Sequence, residues 1–317
     1  HERLGLVVIG SIGLYLVKLL QSPFELTFHD ELSHWRTADD IAKSHHLFAL
    51  NPLLPISSLY PGMENATDAL MALGGHSVVI AGAPLLGAGK VLLAIALFVL
   101  FEHVSGSGRV AGIGALLYMV NPSFVFFDGQ YAYETLALPL AALTLVAVAK
   151  RSSSPGDAMG WTVVGVLALA ATITTHHLTG LLLAAFLVLW TATDAYVARR
   201  INVWAGPGIF AVFGVAGVIL WIAVVSKGTI GYLFPDLRDS VRDLSSLLTG
   251  QSGMRRFFTD YAGGALPVWE RAIAYVSVLL ILVGLPFGLL RIVRAHAKNA
   301  LALALAAGAL AYPMSLA

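Results

Sequence analysis

Leu4-Gly-Leu-Val-Val-Ile-Gly-Ser-Ile-Gly-Leu-Tyr-Leu-Val-Lys-Leu-Leu20, followed after a short break by Phe28-His-Asp-Glu-Leu-Ser-His-Trp-Arg36, decides how this 317-residue chain is read. The first run approaches the roughly 18–20 apolar residues that cross a bilayer. The second is the densest group of ionisable side chains in a sequence that is 58% hydrophobic and 12% charged. Mean hydropathy is +0.81. Long continuous apolar runs, rather than alternating segments of about ten residues, point to helices and not a β-barrel. The predicted class is therefore all-α: a polytopic transmembrane helix bundle.

The same pattern recurs along the chain. Leu4–Leu20 is followed by predicted spans at 84–104, 109–126, 132–149, 159–175, 178–197, 203–226, 267–290 and 299–317, nine in all. Two long polar stretches interrupt them, at 24–83 and 227–266. In the first, Leu32, Trp35, Ala38, Ile41 and Ala42 recur at helical spacing, as in an interfacial helix. Thr37 with Asp40 three residues on matches a capping box that would divide it. Ala66–Leu73, closed by Gly74-Gly75, has the length of a half-span or a re-entrant turn. In the second stretch, Leu237, Val241, Leu244 and Leu248 suggest another interfacial helix. The run-out at Ala317, inside an apolar segment, suggests a single domain cut at its C-terminus.

Charge orients the spans. Arg109, Lys150-Arg151, Arg199-Arg200, Arg291, Arg294 and Lys298 occupy alternate joints, which the positive-inside rule makes cytoplasmic. The chain then starts inside, and both long stretches, the Asp128–Glu134 joint and His176-His177 face outward. A multi-pass protein of the plasma membrane with its polar residues on the outer face is expected. Lys18 is expected to snorkel to the interface. The net charge of +1 says nothing about nucleic acid, and with no basic tract to suggest it no nucleic-acid partner is expected; the lack of cysteine excludes disulfides and thiolate chemistry.

Several groups have the composition of a site. Asp30-Glu31 reads either as a base with a metal or hydrogen-bonding partner, or as acids favoured at a helix N-terminus. His29 and His34 are five residues apart, so they do not share a helix face as the i, i+4 ligands of a zinc protease do. Consecutive His176 and His177 would point about 100° apart on a helix, one toward the bundle and one toward the interface. Asp128 and Glu134 bracket Gly129-Gln-Tyr-Ala-Tyr133, as helix-capping acids or as site carboxylates. Arg255-Arg256 could grip a phosphate bidentately or meet bulk anionic lipid.

Taken in order, Asp30-Glu31 after the first span, Tyr60-Pro61-Gly62, Asn121-Pro122 and Tyr131–Glu134 resemble the GT-C superfamily of polytopic glycosyltransferases. The resemblance covers the first half of the chain motif by motif and the rest in hydropathy only. It implies an inverting hexosyl- or pentosyltransferase that moves sugar from a polyprenyl-phosphate carrier to a glycan, lipid or protein acceptor in the cell envelope. Asp30 would be the base and Glu31 its partner, the two together holding a divalent cation (Mg or Mn) where one is used. His34, Arg36, Tyr60, Glu134, His176, His177, Arg255 and Arg256 would bind substrate. The competing reading is a transporter or lipid flippase using the same outer acids and histidines, with Lys90 the main charge inside a span.

Overall fold

The computed structural model describes residues 1–199, 206–248 and 267–310. Among them the chain is helical, with no strand. Its helices are α1 (Glu2–Gln21), α2 (His29–Ser44), α3 (Gly62–Gly74), α4 (Val78–Ser105), α5 (Gly108–Met119), α6 (Pro122–Val125), α7 (Tyr133–Ser153), α8 (Ala158–Thr175), α9 (His177–Ala198), α10 (Gly208–Val224), α11 (Thr229–Leu248), α12 (Val268–Ala295) and α13 (Ala300–Ala309).

Six of these segments are long and apolar enough to cross a membrane, or up to eight if each of two bent pairs counts as one span. Of the about nine spans expected, the described residues thus support six to eight. The predicted span 109–126 breaks at Asn121-Pro122, where α5 meets the α6 segment at 74°. Asn121 caps the new helix by accepting from the Ser123 amide at 2.9 Å, and Pro122 has no amide to continue the old one. The predicted span 203–226 turns by 105° between α10 and α11. Ser226 and Thr229 at that elbow each sit 2.9 Å from the Tyr60 hydroxyl, which ties the bend to the first long stretch. In the predicted span 299–317, α13 accounts for ten residues and 311–317 lie outside the described residues.

Burial inside a membrane bundle gains little from hydrophobicity, because lipid is as apolar as leucine; close packing of small residues does the work. A methyl group at Gly165 of α8 would sit 3.2 Å from the Ala147 Cβ on α7, and one at Gly214 of α10 would lie 3.4 Å from the Ala184 Cα on α9. Around these contacts Leu93, Phe98, Met119, Phe124, Leu169, Leu187, Trp190 and Phe210 form the main core. Lys90 is buried among them, its ammonium 3.8 Å from the Phe124 ring centroid. α12 runs beside α13 with its apolar surface open.

The bundle has two unlike ends. One gathers Arg3, Glu102, Gly108, Arg151 and Gly206, as Arg151 donating to the Gly206 carbonyl at 3.1 Å shows. The other carries α2, α3, the α6–α7 joint, the α8–α9 joint and the α10–α11 elbow. We call this the loop-rich end.

The first long stretch is docked there, not splayed. α2 is continuous through Thr37 and Asp40, so the predicted division is absent. Thr37 is instead engaged from the side: Asn51 Nδ2 donates to its hydroxyl at 2.8 Å and to the Ser33 carbonyl at 2.8 Å. The Asn51-Pro52 turn thus clamps α2. Of the predicted apolar stripe, Ala38 and Ile41 are buried while Leu32 and Trp35 remain exposed.

α3 is not a half-span. It starts at Gly62, buries Met63, Glu64 and Thr67, and ends at Gly75, whose φ of +66 suits glycine at a helix C-terminus. A Cβ at Gly62 would lie 2.9 Å from the Thr175 Cα, so α3 rests directly on the end of α8. Gly62→Ala should therefore push α3 outward and lower the unfolding temperature in detergent, whereas Gly5→Ala, which meets nothing within 4 Å, should not.

Candidate functional site

The two acids that open α2 lie about 100° apart on the helix and go separate ways. Glu31 is fully buried. Its Oε1 pairs with the Lys18 ammonium and accepts the Tyr131 amide at 2.9 Å; its Oε2 accepts the Thr27 and Phe28 amides at 2.8 and 3.1 Å. This is an N3 glutamate reaching back over a helix start, extended to two other segments. Lys18 is turned inward by it and does not snorkel. With both oxygens held by protein donors, Glu31 is badly placed to share a cation with Asp30. Among the described residues no group of three His, Asp or Glu side chains is set to hold a metal ion.

Asp30 is the free acid. Its side chain is 53% exposed, with His29 Nδ1 at 3.8 Å as its near neighbour. His34, four residues on, shares its face of α2. Arg36 lies elsewhere, with its Nε 3.7 Å from Asp40 Oδ2 on the half-exposed side of the helix.

His34 leads into a cluster of rings centred on Tyr133. The Tyr133 ring centroid is 4.3 Å from His34 edge-on, 4.3 Å from His176 in a stack, and 5.7 Å from His177. His177 in turn meets Tyr60 at 5.4 Å and Tyr232 at 5.4 Å. Five parts of the chain thus converge, from α2 to α11. His176 and His177 do not divide between bundle and interface as expected. The break between α8 and α9 falls at His176, whose φ of −148 is extended, and both rings turn inward.

Burial, with His177 and His34 close by, pushes the His176 imidazole down to about 3, so it carries no charge at physiological pH. Its Nδ1 is 2.7 Å from the Thr179 hydroxyl. Tyr131 lies beneath: burial and the Glu64 carboxylate hold its phenol well above the usual range, and it donates to Thr67 at 2.9 Å. Glu134 is buried in the first turn of α7, within electrostatic reach of Asp30 and His34. His177 Nδ1 is buried without a hydrogen-bond partner.

Asp30, His34, Tyr60, Glu134, His176 and His177 are therefore at one end and close together. Glu31 belongs to the scaffold beneath them and Arg36 to its flank. Arg255 and Arg256 lie outside the described residues. At the centre are Glu64, absent from the sequence reading, and Tyr133, which that reading quoted within the Gly129–Glu134 joint without giving it a role. Glu64 could have been noticed as a carboxylate in the first turn of α3, two residues after Tyr60-Pro61-Gly62.

The class this fold defines is a helical protein whose apolar segments could cross a membrane six to eight times. Compared with known protein families, curated proteins and solved structures, the chain matches none of them.

Proposed function

We propose that this chain is a membrane glycosyltransferase that moves a sugar from a polyprenyl-phosphate carrier to an acceptor hydroxyl at the loop-rich end, on the outer face of the plasma membrane. The observation that carries the reading is a cavity shaped for an amphiphile. Between α8 and α10 lies a cavity of about 460 Å³, within the size range of small-molecule sites. Leu169, Ile173, Phe213, Leu220 and Trp221 are among its walls, and Thr174 is its one polar side chain. Ile173 and Trp221 are shared with a smaller pocket lined by Tyr60, His177 and Thr229. A long apolar tail fits the first, and the second, of about 10 Å³, brings Tyr60, His177 and Thr229 beside it.

In this reading Asp30 takes the proton of the acceptor hydroxyl as its oxygen bonds to the anomeric carbon. The bond from that carbon to the phosphate oxygen breaks, and polyprenyl phosphate leaves with the electron pair. Inversion follows from a single displacement. His177, whose Nδ1 has no hydrogen-bond partner, lines the small pocket with Tyr60 and would hydrogen-bond the departing phosphate.

Purified protein in lipid nanodiscs, given a panel of polyprenyl-phosphate sugars and an acceptor, should release polyprenyl phosphate; no release from any donor would overturn the reading. Ala170→Trp tests the cavity separately. It should raise KM at least tenfold for a long-chain donor and leave a short, water-soluble donor unaffected. Equal effects on both donors would remove the tail from this cavity.

A transporter or lipid flippase is the second reading, favoured by Lys90. Its ammonium is buried within α4 without a hydrogen-bond partner. Ionisable groups at such depth commonly mark transport paths.

A further inference from the structure

Beside Asp30 is a second pair able to handle a proton. His34 Nδ1 lies 2.6 Å from Glu64 Oε1, with the two side chains 1% and 0% exposed. The other Glu64 oxygen, Oε2, is buried and has no hydrogen-bond partner. A sealed carboxylate with one oxygen unsatisfied is costly to keep charged alone. The pair is therefore stabilised by a proton held between its members. A proton on Nδ1 fixes the imidazole tautomer and turns the Nε2 lone pair outward, the arrangement by which a carboxylate orients a catalytic histidine. Among the described residues none is hydrogen-bonded to Nε2.

The surroundings favour a working group over a structural contact. His34 follows Asp30 by four residues on α2, so the buried imidazole and the exposed acid are neighbours on one helix face. The charged and titratable groups around it are Asp30 on α2, Glu64 on α3, Tyr133 and Glu134 on α7, and His176 at the α8–α9 joint. A purely structural role would be served by any buried hydrogen-bonded pair, and would not need an orphaned carboxylate oxygen.

We propose that Glu64 and His34 form an acid–base dyad that resets Asp30. The proton that Asp30 receives from the acceptor passes to His34 Nε2, directly or through one water. His34 becomes imidazolium paired with the Glu64 carboxylate, Asp30 returns to carboxylate, and the imidazolium later loses its proton to solvent. The source of the proton rests on the glycosyl transfer proposed above. The dyad itself rests on the geometry alone.

The test uses the full chain in nanodiscs with ¹⁵N-labelled histidine, the His34 signals being identified by their loss in His34→Gln. His34 should show the Nδ1–H tautomer, and Glu64→Gln, which keeps a hydrogen-bond acceptor but removes the charge, should lower its titration midpoint by about one unit or more. Glu64→Asp should restore the midpoint. In turnover, the ascending limb of the pH–rate profile should move to lower pH in Glu64→Gln by the same amount, since the base must be deprotonated to act. An unchanged midpoint, or an Nε2–H tautomer, overturns the dyad. A shifted midpoint in a protein that consumes no lipid-linked sugar sustains the dyad and removes the transfer reaction instead.

Discussion

Asp30→Asn is expected to lower release of polyprenyl phosphate by about 10²–10⁴-fold while leaving the fold intact. The two halves of that result come from the same feature. The Asp30 side chain is half in solvent, with His29 Nδ1 at 3.8 Å. Losing its charge therefore removes no buried contact, and the stability change should stay within about 0.5 kcal/mol, as for ordinary surface substitutions. Asparagine has nearly the same shape but no proton affinity, so binding of the donor should persist while chemistry fails. Kcat should fall with KM little changed, as measured with a single donor in nanodiscs. Unchanged turnover would move the base elsewhere, with Glu134 and His34 the nearest alternatives.

Glu31→Ala is expected to do the reverse. It removes the acceptor for three backbone amides and the partner of Lys18, whose side chain is 12% exposed. Breaking a buried ion pair from one side typically costs about 3–5 kcal/mol, because the remaining charge is left unpaired. The unfolding temperature in detergent should drop by many degrees, and Glu31→Gln should fall between the two. Adding Lys18→Met to Glu31→Ala should recover part of the loss, since the stranded ammonium goes with it. If Glu31→Ala instead unfolds like the parent but loses turnover, then Glu31 is a site residue of the acid pair that the sequence suggested.

The contrast between Asp30 and Glu31 also shows what was legible in advance. Adjacent acids look equivalent in a sequence. Their difference is set by Lys18 on the preceding helix and by the Tyr131 amide far along the chain, neither of which any local pattern points to. The spans were legible wherever a long apolar run continued, and failed where the backbone had a local reason to turn: at Asn121-Pro122, and at the Ser226–Thr229 elbow held by Tyr60. The grouping of Asp30, Glu134 and His176-His177 at one end followed from counting crossings, because helices that alternate in direction return their joints to the same side. What could not be counted was depth. His176 and His177 were read as helix neighbours, and a break between α8 and α9 sent both inward. Glu64 was missed because its partner, His34, lies on a different helix.

The grip of Glu31 sets an order of assembly. Lys18, Thr27 and Phe28 are on hand as soon as the start of α2 is made, but the Tyr131 amide lies 100 residues later in the chain. In sequence α3, α4 and α5 all lie between α2 and that last donor, so the roof over the rings is fastened only once the α6–α7 joint is in place. A chain halted before Tyr131 would hold Asp30, Glu31 and His34 but lack Tyr133, His176 and His177, the rings gathered around them.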